Sequence, residues 1–215
     1  GQSGSGKTVL LKSIVGLLEI DSGQILYDNR SYADLKFKDK KAFRREMGML
    51  FQSAALFDSL TVEENVKFPL EMFTDMQEDE MLDRVNVCLS RVNLVNSNKL
   101  FPSEISGGMQ KRAAIARAIA LNPKYLFCDE PNSGLDPKTS IVIDELIREI
   151  TQEFNITTVL NTHDMNSVIG IGDKVLFIHE GKKWWEGNKT DILNTDNLEL
   201  NDFIFASTVM QRLKA

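Results

Sequence analysis

The octapeptide Gly1-Gln2-Ser3-Gly4-Ser5-Gly6-Lys7-Thr8 constrains this chain more than any other feature. Glycines at this spacing let successive backbone N–H groups turn inward and form a positively polarised nest. Val9, Leu10, Leu11, Ile14, Val15 and Leu18 follow with helical spacing, so a helix starting near Thr8 aims its positive end at the same hollow. Such a loop takes a polyphosphate. Gly1, Ser3, Gly4, Ser5 and Gly6 surround it, Lys7 brings a mobile cation to the outer phosphates, and Thr8 offers a hydroxyl to Mg2+. A phosphate loop that opens a helix belongs to an α/β fold with a parallel sheet.

The loop alone indicates a P-loop NTPase and leaves kinases, GTPases and helicases open. The rest of the chain alternates accordingly. Gln24–Tyr27 and Met47–Phe51 read as short strands, with a lysine- and arginine-rich helix or loop over 30–45 between them. Thr61 and Glu64 make a capping-box pattern, and Met81, Leu82, Val85, Cys88, Leu89 and Val92 recur with helical spacing. Residues 106–121 become alanine-rich and predict a helix. Tyr125–Cys128 is a short apolar run and predicts a buried parallel strand. A helix over 138–153, a strand over 157–162, a hairpin around Glu180-Gly181 and a helical tail over 198–213 complete the pattern.

Two further segments carry chemistry. The run Tyr125–Cys128 delivers Asp129 and Glu130 to the end of its strand, where ligands bind in parallel-sheet folds. Adjacent carboxylates there are costly without a cation, so Asp129 is expected to hold Mg2+ through water and Glu130 to polarise an attacking water. Ile105-Ser106-Gly107-Gly108-Met109-Gln110 opens the alanine-rich helix; Ser106 can cap it, and the glycines expose its first amides. This is a second anion-binding helix end, far in sequence from the first. One nucleotide per domain does not need both; a nucleotide shared with a second copy does.

With those residues in view, the chain resembles an ATP-binding cassette (ABC) ATPase, whose signature is Leu-Ser-Gly-Gly-Gln. It departs from that pattern with Ile105 in first place and Met109 ahead of Gln110, and keeps the serine and both glycines. The resemblance covers residues 1–187 and implies further roles. Gln52 would touch Mg2+ or the attacking water, His163 the γ-phosphate, and Asp136, in Ser133-Gly134-Leu135-Asp136, would cross a dimer interface. Ser106, Gly107 and Gly108 would contact the nucleotide of the other copy. It implies a RecA-like nucleotide-binding core over 1–52 and 105–187, a helical lobe over 53–104 and a tail over 188–215. In transporters a groove beside the glutamine receives a short helix of the membrane permease; here Ala54, Ala55, Leu56 and Phe57 would form it, or else pack inside the lobe.

The segment Ser106–Ala114, with Met109, looks like that of Mla-type ATPases, which work with an MlaE-like permease and an MCE-domain protein to move phospholipids. That implies a peripheral ATPase on the cytoplasmic face of the inner membrane. An ABC ATPase of another importer, such as one for amino acids, fits many of the same residues. A soluble ABC ATPase fits less well. The 53 residues between Gln52 and Ser106 hold no sustained heptads and no cysteine pairs.

Composition sets the outer bounds. Lysine plus arginine total 25 against 31 aspartates and glutamates, a net charge of -6 that disfavours binding nucleic acid through a broad basic surface. Two cysteines exclude a disulfide scaffold, and Cys88 and Cys128 both read as small buried hydrophobes. His179, beside the hairpin turn, is expected at the surface. Trp184 and Trp185 should divide, one ring packed and one exposed. The tail, with Leu200, Phe203, Ile204, Val209, Met210 and Leu213, is expected to pack on the core, the alternatives being a dimer contact or a partner contact. ABC cassettes place two or more strands ahead of the phosphate loop, so a chain that starts at Gly1 reads as a cassette without its N-terminal edge.

Overall fold

A computed structural model describes residues 1–205. In chain order the elements are α1 (Lys7–Ile14), the two-residue strands β1 (Leu26–Tyr27) and β2 (Arg30–Ser31), α2 (Phe37–Arg44), β3 (Met47–Leu50), α3 (Val62–Phe73) and α4 (Glu78–Arg91). There follow α5 (Gly107–Ile119), β4 (Tyr125–Asp129), α6 (Pro137–Glu153), β5 (Thr157–Asn161), α7 (Met165–Ile171), the strands β6 (Lys174–His179) and β7 (Lys182–Asn188), and α8 (Leu198–Ile204). They form two units: Lys12–Leu160, and Gly1–Leu11 with residues 161–205.

Within Lys12–Leu160 the sheet runs β3-β4-β5, and β4 is buried at every position. β3 lies parallel to it, from Met47 opposite Tyr125 to Leu50 opposite Cys128. A strand covered on both faces reads as a continuous apolar run, as Tyr125–Cys128 does. Helix α5 packs against β3 through small side chains; Ala113, Ala114 and Ala116 are fully buried. The approach is so close that a Cβ on Gly48 would lie 2.3 Å from the Ala118 carbonyl oxygen. An overlap of that kind costs about 1–3 kcal/mol, so glycine at 48 and alanines on the helix belong together. Helix α6 buries Ile143, Leu146, Ile147 and Ile150 at the spacing of one helix face.

Between 53 and 104 the backbone is helical and turn-like, with α3 and α4 packed on each other and on α5. The expected capping box closes α3: Glu64 N donates to Thr61 Oγ1 at 3.3 Å, and Thr61 N donates to Glu64 at 2.7 Å. Asn65, fully buried, organises the loop ahead of the helix. It accepts from Phe57 N at 2.8 Å and donates to the carbonyls of Phe57, Leu60 and Thr61 at 3.0–3.1 Å.

The strand expected over Gln24–Tyr27 is only Leu26–Tyr27, and it pairs in a hairpin with Arg30–Ser31, within the stretch expected as helix or loop, across Asp28 and Asn29, both in the left-handed region. Tyr27 stands inside an aromatic cluster, edge-on to Phe43 and Tyr125 with ring centroids at 4.9 Å. Its hydroxyl donates to Ile14 O at 2.7 Å. Outside the cluster, Arg30 forks onto Glu46 at 3.2 and 2.9 Å, and Lys124 reaches the same carboxylate at 3.0 Å. Cys88 and Cys128 are buried and unbonded to each other. Desolvation pushes their thiols up to about 11 and about 12.

In the other unit, β6 and β7 form an antiparallel hairpin turned by Glu180 and Gly181, both at positive φ. Phe177, Ile192, Leu200 and Ile204 make its buried cluster, with Trp185 packed alongside. Trp184 is 41 % exposed and donates to Glu199 at 3.1 Å, so the two tryptophans divide as strand alternation requires. The described part of the tail packs through Leu200 and Ile204; Val209, Met210 and Leu213 lie outside the described residues. His179 departs from expectation. It is half-buried, stacked on Phe177 at 6.0 Å, because the hairpin register turns it over that ring. Among the described residues, no helix is long and apolar enough to cross a membrane.

The Arg30–Glu46–Lys124 group makes acid sensitivity testable. The Arg30 bond, with Lys124 behind it, holds the Glu46 carboxyl below its ordinary range. A carboxylate depressed in the folded state contributes stability above its unfolded pKa, which is lost as pH falls through the folded value. Glu46→Gln should therefore lower the melting temperature at pH 7. The gap to wild type should close below about pH 4. Thermal melts across that range check this; a gap independent of pH would place the effect elsewhere.

Candidate functional site

In the unit containing the phosphate loop, Gly4 and Gly6 take φ of 79° and 98°, which only glycine adopts without strain. That lets the chain curl back before α1 starts at Lys7. The Lys7 ammonium, 7 % exposed, turns across its own loop and donates to the carbonyls of Gly1 and Gln2, each at 2.9 Å. Ser5 Oγ is buried with no hydrogen-bond partner among the described residues. An orphaned hydroxyl and a folded-back cation inside one loop are what a phosphate would engage. Two other segments hold the loop. Gly181 N donates to Ser5 O at 3.1 Å, and Asn161 Nδ2 donates to Lys7 O at 2.8 Å. Asn161 ends β5, whereas His163 lies two residues beyond it, exposed, in the turn that Asp164 closes by capping α7. The last residue of β5, Asn161, thus touches the loop. Sequence reasoning passed over it, though an amide at the strand's last position was its visible signal.

In the unit Lys12–Leu160, Asp129 is the last residue of β4 and is 4 % exposed. Glu130 follows at φ 45°, a left-handed conformation that costs a residue with a side chain roughly 1–2 kcal/mol. Backbone strain of this kind concentrates at functional sites. Gln52, exposed beyond β3, donates to Ser133 Oγ at 3.1 Å and stands 3.5 Å from Glu130 Oε2. The fold thus brings Gln52, from beyond β3, to Glu130 and Ser133 in the single turn that follows β4. Lys111, on α5 and only 5 % exposed, donates to the backbone carbonyl of Gln52. Burial pushes its pKa down. Sequence reasoning missed Lys111 as well; its signal was a lone cation in a helical stripe with Ala114, Ile115 and Ala118.

Ser106 caps α5 by accepting from Met109 N at 3.3 Å, and Ser106 and Gly107 are exposed. A Cβ on Gly108 would meet Thr139 at 2.8 Å, so the starts of α5 and α6 lie side by side. Asp136 has work at that junction. One oxygen accepts from Lys138 N at 3.0 Å and Thr139 N at 3.1 Å, and the other from the Thr139 hydroxyl. Those bonds hold its carboxyl below the ordinary range. Of the residues expected to form a groove, Ala55 and Phe57 are exposed and Leu56 is half-buried. Ala54 is 2 % exposed and offers no surface, because Arg117 draws the carbonyls of Ala54 and Ala55 inward at 2.8 and 2.7 Å. No cluster of three or more His, Cys, Asp or Glu side chains occurs among the described residues. The Asp129 carboxylate, at the end of β4, is a hard-oxygen donor of the kind Mg2+ takes, an ion that keeps several waters and binds through few protein groups and phosphate.

Comparison with known proteins agrees with this geometry. The family model described as ABC transporter matches residues 1–133. The intermembrane phospholipid transport system ATP-binding protein MlaF of Haemophilus influenzae is 39 % identical over 204 residues, covering 95 % of this chain and 77 % of that protein. The methionine import ATP-binding protein MetN of Carboxydothermus hydrogenoformans is 42 % identical over 192 residues, covering 89 % of this chain and 57 % of MetN. The dimeric, post-hydrolysis structure of the ATP-binding cassette MJ0796, bound to ADP and Pi, superposes with a TM-score of 0.80 at 34 % identity, over 88 % of this chain and 83 % of that one. Phosphate loop, strand-end carboxylates and fold converge, and the chain belongs to the ATP-hydrolysing, ATP-binding subunits of ABC transporters.

Proposed function

We propose that two copies of this chain bind ATP with Mg2+ head to tail and that hydrolysis drives phospholipid movement through an integral-membrane permease. The observation that carries the reading is the exposed, Ser106-capped start of α5, a second anion-binding helix end in one chain. The dimeric MJ0796 cassette supports pairing, and the MlaF relative, with Met109 in the Ser106–Ala114 segment, supports a lipid cargo. The partners on this reading are a second copy, an MlaE-like permease and an MCE-domain protein, with the subunit peripheral on the cytoplasmic face. Residues 1–52 and 105–187 serve as nucleotide-binding core and 53–104 as the lobe that meets the permease. The 42 % identity to MetN supports a second reading, an amino-acid importer.

The side chains divide the labour. Backbone amides of Gly1–Gly6 orient the polyphosphate, and Lys7 leaves the carbonyls of Gly1 and Gln2 to reach its outer oxygens. Thr8, Asp129 and Gln52 would hold Mg2+, which when bound neutralises charge on the β- and γ-phosphate oxygens. Glu130 orients and deprotonates the attacking water, with Gln52 hydrogen-bonded at its flank. His163 donates toward the γ-phosphate. Ser106, Gly107 and Gly108 of the second copy meet the same phosphate, so closure depends on it and hydrolysis releases it. Asp136 contributes by fixing the start of α6 beside them.

Glu130→Gln should retain ATP binding, lose at least a hundredfold in turnover by an order-of-magnitude estimate, and accumulate as a closed dimer. Nucleotide titration, ATPase assay and light scattering read the three effects; undiminished hydrolysis would sink the assignment. Phe57→Asp should leave nucleotide affinity intact and abolish stimulation of ATPase activity by the permease. Cargo is decided in proteoliposomes holding the subunit and its permease. ATP-dependent transfer of labelled phospholipid without methionine uptake is expected; the reverse would establish the importer reading.

A further inference from the structure

The backbone just beyond Gln52 is held in an unusual way. Ala54 and Ala55 both take positive φ, 64° and 48°, a region that alanine seldom visits and almost never twice running. Three of the four carbonyls from 52 to 55 accept from cations of a single helix: Lys111 bonds Gln52 O, and Arg117 bonds Ala54 O at 2.8 Å and Ala55 O at 2.7 Å. Six residues of helix separate the two cations, about 9 Å along the axis. Lys111 is 5 % exposed, and burial lowers the pKa of both cations. Cations in such places persist only where acceptors are fixed around them.

The same helix begins at the Ser106–Gly108 end. The same loop carries Gln52 at one end and Phe57 at the other, and Asn65 fixes the Phe57 end from α3. We propose that Lys111 and Arg117 clamp residues 52–57 to α5 so that the serine-glycine end, Gln52 and Phe57 shift as one body, with Lys111 a positioning residue for Gln52. This deepens the ATPase reading above and rests on the role given there to Gln52. Lys111 does not touch the nucleotide. It sets where the Gln52 backbone lies, and that decides whether Nε2 reaches Glu130 and Ser133. Arg117 carries the same displacement toward the exposed Phe57 ring.

The test uses the full-length subunit. Lys111→Met should lower kcat roughly tenfold or more, since small misplacements of a reacting group have large effects. Affinity for a fluorescent ATP analogue should stay within about twofold of wild type. Lys111→Arg, which keeps a donor, should recover most of the loss. In a Gln52→Ala background, Lys111→Met should cost nothing further, the coupling expected when one residue acts through another. Independent, multiplicative losses would overturn the clamp, as would full turnover in Lys111→Met. Full turnover in Gln52→Ala alone would instead overturn the role given to Gln52. Should Lys111→Met fail to fold, Arg117→Met decides by hydrogen exchange. Faster exchange over residues 54–57, with Gly1–Thr8 unchanged, supports the clamp; unchanged exchange at 54–57 refutes it.

Discussion

Much of the unit Lys12–Leu160 depends on how closely α5 can approach β3. The bare Cα of Gly48 admits the Ala118 carbonyl, and the alanines of α5 supply a face flat enough to follow. At this separation Lys111 reaches across to the Gln52 carbonyl, and Arg117 to those of Ala54 and Ala55. A bulkier residue at 48 would lift the helix and draw both cations from their acceptors together. Packing of small residues thus sets hydrogen bonds several residues away.

A common logic runs through the two buried lysines. Lys7 and Lys111 are 7 % and 5 % exposed, and each ammonium has backbone carbonyls as acceptors. A carbonyl carries no net charge, so such a bond satisfies the ammonium through a dipole and fixes where it points. For Lys7 that suits the turn toward a polyphosphate proposed for it. For Lys111, enclosed by α5 and the Gln52 backbone, the bond serves to hold position.

The local part of this structure could be read from residues alone. The glycine spacing of Gly1–Thr8, the Ser106 cap, the Thr61–Glu64 box and the apolar run of β4 are short-range patterns, and each produced the element it predicts. What escaped reading was long-range bonding to backbone. Asn161 meets Lys7 across 154 positions, and Lys111 meets Gln52 across 59. A carbonyl presents the same acceptor whatever its side chain, so the accepting residue leaves no mark in the sequence. The burial of Ala54 and the stacking of His179 were hidden likewise, because both follow from register and from Arg117 rather than from neighbours in the chain.

The left-handed backbone at Glu130 bears on how this chain can change. Glycine or asparagine would sit there with less strain, so selection for thermal robustness alone would drift toward them. With the catalytic role proposed for Glu130, a glutamate held in that conformation marks a place where durability and turnover pull in opposite directions. Efforts to harden the protein would meet position 130 early, and each gain made there would remove the carboxylate that stands beside Gln52.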